Sequence, residues 1–279
     1  MSIEKHTLEV KAPRPTVSLI VPVLNHEPRL TDVLDEIRSL PGELEREVLI
    51  VYDVTQPELF DGIRTEQREL EEKYGARCVT RTNERGFGSA LRAGFEASRG
   101  DVIIPIMGDC SDDIGAIPRM VARIAGGADI AVGSRYMAGG AIVGDTPKQQ
   151  ISRLYSRIMR SVSSIDCDDV SNSFRAYSRR VWESIPNEAN SFDISVEMTV
   201  KAAAGGYRIE QVPAVWTNRD AGQSSFRMLK ELPNYARWLL YGMRRAPRRS
   251  LLIAVPVGAV SMVLVTGWLL GMARGRRNE

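Results

Sequence analysis

The chain predicts an α/β domain with a mostly parallel central sheet, followed by a basic helix and one apolar span, and three observations carry that expectation. Short β-branched apolar runs alternate with amphipathic stretches through the first hundred residues. Several of those runs end on an aspartate or asparagine. A single uncharged apolar stretch sits near the C-terminus, outside the alternation. With 279 residues, 43% hydrophobic and 26% charged, there is enough chain for a large core, and wholesale disorder is excluded.

The first run is VSLIVPVL at residues 17 to 24, closed by Asn25, and the second is EVLIVY at 47 to 52, closed by Asp53. Both read as buried parallel strands. Between them, RLTDVLDEIRSL places Leu30, Val33, Leu34, Ile37 and Leu40 at helical spacing, completing a strand, helix, strand unit. The pattern continues with a charged helix over 63 to 74, the strand ARCVTR, the helix GSALRAGFEASRG and the strand DVIIPIM. In sheets of this kind ligands bind beyond the carboxyl ends of the strands. The loops from Pro22 to Glu27 and around Asp53, Thr55 and Gln56 are therefore candidate nucleotide contacts, although an Asp at such a place also makes ordinary turns. Gly86 and Gly88, in NERGFGSALRAG, precede a helix whose N-terminus suits phosphate, but they do not complete a GxGxxG pattern.

MGDCSDD, residues 107 to 113, directly follows the apolar strand. Asp109, Asp112 and Asp113 concentrate negative charge at the end of a buried strand, which is costly unless a cation or hydrogen-bond donors offset it. Magnesium or manganese fits, because hard cations take carboxylate and phosphate oxygens. The alternative is that Asp112 and Asp113 cap the helix that follows. Three cysteines without paired spacing and only two histidines argue against a disulfide framework, a zinc site or a histidine-built metal site.

The net charge of +2 hides an asymmetry. From Lys230 onward there are nine Lys or Arg against two Glu, leaving 28 basic and 33 acidic groups before it. Nucleic acid is not the expected partner, since the basic excess lies in the tail and not on the body. LLIAVPVGAVSMVLVTGWLLGMA, residues 251 to 273, is long enough to cross a bilayer, with a buried core helix or a re-entrant segment at Pro256 as alternatives. The stretch before it, with Tyr235, Trp238 and Tyr241 among arginines, reads either as a helix at the headgroup level or as a packing helix. No apolar run near the N-terminus resembles a secretory signal. The expected arrangement is a body on the cytoplasmic face of a membrane, with a single-pass C-terminal anchor. Its boundaries are an extension over 1–15, the domain over 16–229, a basic helix and linker over 230–250, the span over 251–273 and a basic tail over 274–279. Oligomeric state leaves no trace in the sequence.

Taken in order, VSLIVPVLN, VYDVTQ, RGFGSALRAG, MGDCSDD, GSRYMAGG, DVSNSFRAYSRRV, VEMTVKAAAGGYRIEQVPAVW and NRDAGQSSFR resemble a family 2 glycosyltransferase of the GT-A fold. The likeness covers roughly residues 16 to 229 and points to the dolichol-phosphate mannosyltransferase and polyprenyl-phosphate branch. It implies a nucleoside diphosphate sugar as donor, a polyprenyl phosphate as acceptor, an inverting transfer and a divalent metal, Mg2+ or Mn2+. Pro22 and Asp53 then contact the nucleotide, Val23 and Leu24 line the base pocket, and Asn25 matches part of a donor-binding loop. The family's Asp-x-Asp-x-Gln metal loop falls on Met107, Gly108, Asp109, Cys110 and Ser111. Its first carboxylate is absent, leaving Asp109 as principal ligand and Ser111 or Asp112 as second partner. Ser173 and Ser225 are further departures, where the family has Gly and Lys.

Arg135 and Arg219, with Ser224, match positions near the acceptor or donor phosphates, and guanidinium forks suit phosphate. KQQISRLYSRIMRSVSSI sets Ile151, Leu154, Tyr155, Ile158, Met159 and Val162 on one stripe, with Lys148, Arg153, Arg157 and Arg160 opposite. That face suits a membrane surface and a lipid phosphate, or a solvated face over a packed one. Glu197 and Asp193 stand where related enzymes place an acid facing the acceptor, or serve as a structural ion pair and a helix cap. Two other functions stay open: transfer to a sugar hydroxyl, which needs a general base, and a non-catalytic, membrane-tethered binding or scaffold protein.

Overall fold

Alternating residues of the first strand face opposite ways, and both faces are covered. The computed structural model describes residues 15–82, 85–144, 147–163, 165–218 and 228–245. In chain order the strands are β1 (Val17–Leu24), β2 (Arg46–Asp53), β3 (Arg77–Arg81), β4 (Val102–Pro105), β5 (Ile130–Ser134), β6 (Ala141–Val143), β7 (Arg175–Ser178), β8 (Ile209–Pro213) and β9 (Val215–Thr217). The helices are α1 (Leu30–Ser39), α2 (Phe60–Tyr74), α3 (Phe87–Ala97), α4 (Ile117–Ala125), α5 (Pro147–Ser163), α6 (Arg179–Ser184), α7 (Ile194–Ala204) and α8 (Met228–Arg245).

Seven strands form one sheet in the order β3-β2-β1-β4-β7-β5-β8, while β6 and β9 make a separate two-stranded ribbon. Leu19, Val21 and Val23 point into a core shared with α1, α2 and α4. Ile20 points into a second core, with Leu91 and Phe95 of α3, Met159 of α5, Trp182 of α6, Val196 and Val200 of α7, and Trp238 of α8. Burial on both faces is why the strands read as continuous apolar runs instead of alternating ones. The departure from parallel order is β7, which runs antiparallel to both β4 and β5.

The sheet is in register at its working end. Leu24 lies beside Asp53, and Asp53 beside Arg81, so the loops that follow β1, β2 and β3 leave the sheet at one edge. Pro105 pairs with Ile20, a few residues short of that edge. The loop after β4, which carries Asp109, therefore starts short of that edge.

Among the described residues no helix is long and apolar enough to cross a membrane. The expected fold class, ending in a spanning helix, is corrected to an α/β domain with a mostly parallel sheet. The single-pass anchored location falls with it, and the run over 251–273 on which both rested lies outside the described residues. The last described helix, α8, carries Lys230, Glu231, Arg237, Arg244 and Arg245, too many charges for a hydrocarbon setting. Part of its apolar surface is used within the protein, while Leu232 and Leu240 stand about half exposed. Trp238 is 2% exposed, and its indole N–H donates to Asp193 Oδ2 at 2.8 Å, so it does not lie at a headgroup level. The stripe on α5 also faces inward, with Met159 and Val162 buried and Tyr155 edge-on to Tyr235 of α8 at 5.2 Å.

Candidate active site

Two non-glycine residues among those described hold positive φ, Asn25 at 60° and Cys110 at 58°, and both sit on the loops that follow strands β1 and β4. Left-handed backbone costs an L-residue roughly 1–2 kcal/mol, and such strain gathers where a chain must present groups to a ligand. Asn25 recovers part of the cost. Its Oδ1 accepts the Thr55 N–H at 2.8 Å, its Nδ2 donates to Thr55 Oγ1 at 2.9 Å, and its own N–H donates to the Asp53 carbonyl at 3.0 Å. The exits of β1 and β2 are clamped into one ledge. Pro22 and Val23 lie within β1 on that ledge, with Val23 buried and Leu24 55% exposed at its tip.

Asp53 is buried and paired with Arg81, Nε to Oδ1, at 3.0 Å. Arg81 Nη2 donates to Ser89 Oγ at 2.9 Å, while Nη1 is buried with no hydrogen-bond partner among the described residues. Sequence reasoning missed Arg81. The signal was present, because ARCVTR ends in register with the strand that ends in Asp53, and two adjacent strand ends of opposite charge face each other.

The glycine pair serves a different contact from phosphate. A Cβ on Gly86 would lie 2.2 Å from the Asn190 carbonyl oxygen, and one on Gly88 would lie 2.3 Å from that of Ala189. Gly88 N–H donates to the Asn190 carbonyl at 3.1 Å. The first turn of α3 is thus closed over by the 189–191 backbone, an approach only glycine permits. Gly88→Ala is expected to cost about 2 kcal/mol, since backbone must shift to admit the methyl group. Urea unfolding checks it, and an unchanged midpoint would show that the loop yields freely.

Asp109 is 5% exposed, and its Oδ1 accepts the Ser111 N–H at 3.1 Å. Ser111 is held from the other side by its carbonyl, which accepts from Thr217 N–H at 3.0 Å. Asp112 folds back so that its Oδ2 accepts the Met107 N–H at 2.8 Å. Burial pushes the Asp112 carboxyl up to about 7; Met107 N–H offsets part of this, and Asp109 adds to the rise. Asp113 instead pairs with Arg119 at 3.7 Å and accepts the Val215 N–H. No group of three or more His, Cys, Asp or Glu among the described residues is gathered to hold a metal.

Arg135 is buried against Asp169. Its Nε and Nη2 reach the two carboxylate oxygens at 2.7 and 2.8 Å, and its backbone N–H donates to Asp169 Oδ2 at 3.0 Å. Nη2 also donates to Ser152 Oγ at 3.2 Å. Asp169 was missed because nothing local in CDDVSNSFR marks which acid turns inward. Next to it Arg175, wholly buried, gives its donors to the carbonyls of Asp169, Val170, Asn172 and Ser195 and to Thr199 Oγ1. That fixes the segment before β7 against α7. Arg153 lies exposed on α5, its guanidinium carbon 4.9 Å from the Tyr136 ring centroid.

Glu197 and Asp193 are both turned into the interior. Glu197 is fully buried and accepts Glu188 N–H at 2.9 Å, Ala189 N–H at 2.8 Å and Lys201 Nζ at 2.6 Å. Asp193 is 1% exposed and turned to Trp238, its Oδ1 buried without a partner among the described residues. Arg219 and Ser224 lie outside the described residues, as does Ser225. The structure gathers Asp53, Arg81, Asn25 and Asp109 at one sheet edge, and Arg135, Ser152, Tyr136 and Arg153 in a second group beyond β5.

Comparison with known proteins identifies the family. The model of the family described as glycosyl transferase family 2 matches residues 18–185. The dolichol-phosphate mannosyltransferase of Pyrococcus furiosus is 28% identical over 235 residues, covering 80% of this chain, which spans 64% of that protein's length. The undecaprenyl-phosphate mannosyltransferase of Micrococcus luteus is 30% identical over 222 residues, covering 73% of this chain and 90% of that one. Among solved structures, glucosyl-3-phosphoglycerate synthase of Mycobacterium tuberculosis, in complex with Mn2+, UDP-glucose and phosphoglyceric acid, has a TM-score of 0.60 at 20% identity. The match covers 84% of this chain and 81% of that one. That likeness fixes the α/β GT-A architecture. The chain belongs to glycosyl transferase family 2 and is a glycosyltransferase.

Proposed function

We propose that the chain transfers a sugar, with inversion, from a nucleoside diphosphate sugar to the phosphate of a polyprenyl lipid. The carrying observation is the state of the acids. Glu197 accepts from three donors across its two oxygens, and Asp193 Oδ2 accepts from the buried Trp238 indole. Neither is placed to take a proton from a sugar hydroxyl, as the competing transfer requires. A phosphate monoester is already anionic near neutral pH and needs cationic donors instead, which Arg135 and Arg153 provide. The mannosyltransferases among the relatives, named for dolichol phosphate and undecaprenyl phosphate, support the same acceptor class.

In this reading Asp53 and Arg81 meet the nucleobase. A carboxylate beside a guanidinium complements a base edge with an N–H next to a carbonyl. The ledge made by Asn25 and Thr55 sets the depth at which the nucleoside rests. Asp109 fits a divalent cation of the kind that takes one or two carboxylates plus substrate phosphates and keeps water for the rest. Ser111 and Asp112 stand next to it. When bound, such a cation neutralises charge on the departing diphosphate. The protein's own part is positioning: the donor is held at the sheet edge while the lipid phosphate, oriented by Arg135, reaches the anomeric carbon from the opposite face.

The test supplies labelled nucleoside diphosphate sugars with membranes containing polyprenyl phosphate, with Mn2+ or with a chelator. Label is expected in the lipid fraction only with the metal. Label moving to a glycan or glycolipid hydroxyl, with none on the lipid phosphate, would overturn the acceptor assignment.

A further inference from the structure

The loops after β1 and β4 leave neighbouring strands and stay in contact beyond them. They touch at Gly108. A Cβ built there would lie 3.0 Å from Glu27 Cγ and 3.7 Å from Glu27 Cβ, so the Glu27 stem rests on the Gly108 backbone, one residue before Asp109. The contact is pinned on both sides. The Glu27 carbonyl accepts the Leu30 N–H at 3.1 Å as α1 begins, and the Cys110 thiol donates to the Arg29 carbonyl, Sγ to O, at 3.8 Å.

Glu27 is half-buried, yet its carboxylate is weakly engaged. Oε1 accepts the Arg29 N–H at 3.4 Å, beyond the usual length of such a bond, and no cationic side chain among the described residues pairs with Glu27. A second carboxylate is thus carried to the residue next to Asp109 without a cation of its own. Like charges brought together oppose each other's ionisation, and a bound cation reverses that balance.

The loop after β4 supplies no second acid itself. Met107 stands where the resemblance implies one, and a thioether is a soft ligand that does not suit a hard cation. Asp112 Oδ2 is taken by the Met107 N–H, and Asp113 Oδ2 by Arg119 and the Val215 N–H.

From this we infer that Glu27 supplies the second carboxylate of the divalent-cation site, from the loop after β1, in place of the acid that the loop after β4 lacks. The inference rests on the proposed role of Asp109 and adds the residue that completes the site.

The experiment titrates the full chain in detergent with Mn2+ alone, reading free Mn2+ by electron paramagnetic resonance, and follows thermal unfolding of the metal-free proteins. Glu27→Gln keeps the stem over Gly108 and an acceptor for the Arg29 N–H, so its metal-free unfolding temperature stays at the wild-type value. Its Mn2+ affinity falls at least about tenfold, the lower end of what losing even an outer partner costs a metal site. Glu27→Asp, which keeps the charge but draws it back by one methylene, loses less. Met107→Asp added to Glu27→Gln restores binding, an outcome that a merely structural Glu27 does not produce. Wild-type Mn2+ affinity in both Glu27 variants, with loss in Asp109→Asn, overturns this inference and leaves the Asp109 reading intact. Weakening that comes with a lowered unfolding temperature and is not rescued by Met107→Asp overturns it too. Equal Mn2+ affinity in wild type and Asp109→Asn overturns both.

Discussion

Asp109→Ala is expected to slow sugar transfer by about a hundred- to a thousandfold, the usual consequence of removing one group that stabilises charge developing in the transition state. The resemblance implies a metal loop with two acids, and here Met107 occupies the first position, so on the proposed reading the loop's contribution is concentrated on one carboxylate. Asp112 is a poor substitute, because one of its oxygens is committed to the Met107 N–H and burial favours its protonated form. Asp109→Asn separates charge from shape. Its amide oxygen can still accept the Ser111 N–H, so the loop should keep its form while the negative charge is lost. Initial rates over a manganese titration decide the matter. Loss in both variants, not relieved by excess metal, is the expected result, and full turnover by Asp109→Asn would remove the metal role.

The second large effect is on stability. Glu197→Ala should cost about 3–5 kcal/mol, the range for breaking a buried pair by deleting one partner. The change strands the Lys201 ammonium and two backbone N–H groups of the 188–189 segment together. Against a typical total of about 5–15 kcal/mol, that is a large share. Glu197→Gln keeps an acceptor and should recover part of the loss. Equilibrium unfolding in urea measures both, alongside pH–rate profiles of the folded variants. Wild-type stability with a lost limb in the pH profile would make Glu197 a general base and revive transfer to a hydroxyl.

Much of the proposed donor half was legible in the sequence because its logic is local. A strand buried on both faces reads as an unbroken apolar run, and the residue where the run stops is where the chain meets solvent. Asp53 and the 107–113 loop were found that way. Arg81 was within reach of the same argument, given the register of the third strand. The acceptor half was less legible because its contacts are long-range. Gly86 and Gly88 sit at a helix start and look like a phosphate cradle, yet what closes on them arrives about a hundred residues later in the chain. Glu197 has the spacing of a catalytic acid, and only its three donors reveal that it is occupied. Trp238 looked interfacial by composition, but its partner is the acid at the start of α7. Asp169 stands next to another acid, Asp168, and nothing in the pattern tells which of the two turns inward.

The reversed direction of β7 has an evolutionary corollary. Strands that run with the sheet deliver their departing loops to the working edge, whereas β7 delivers the segment that leads into it, residues 169–174. In the proposed reading, one ligand is therefore served by chain leaving strands and the other by chain approaching one. The two halves can diverge separately. Grafting residues 135–172 from a relative with a different acceptor should exchange that preference while the choice of nucleotide is inherited unchanged.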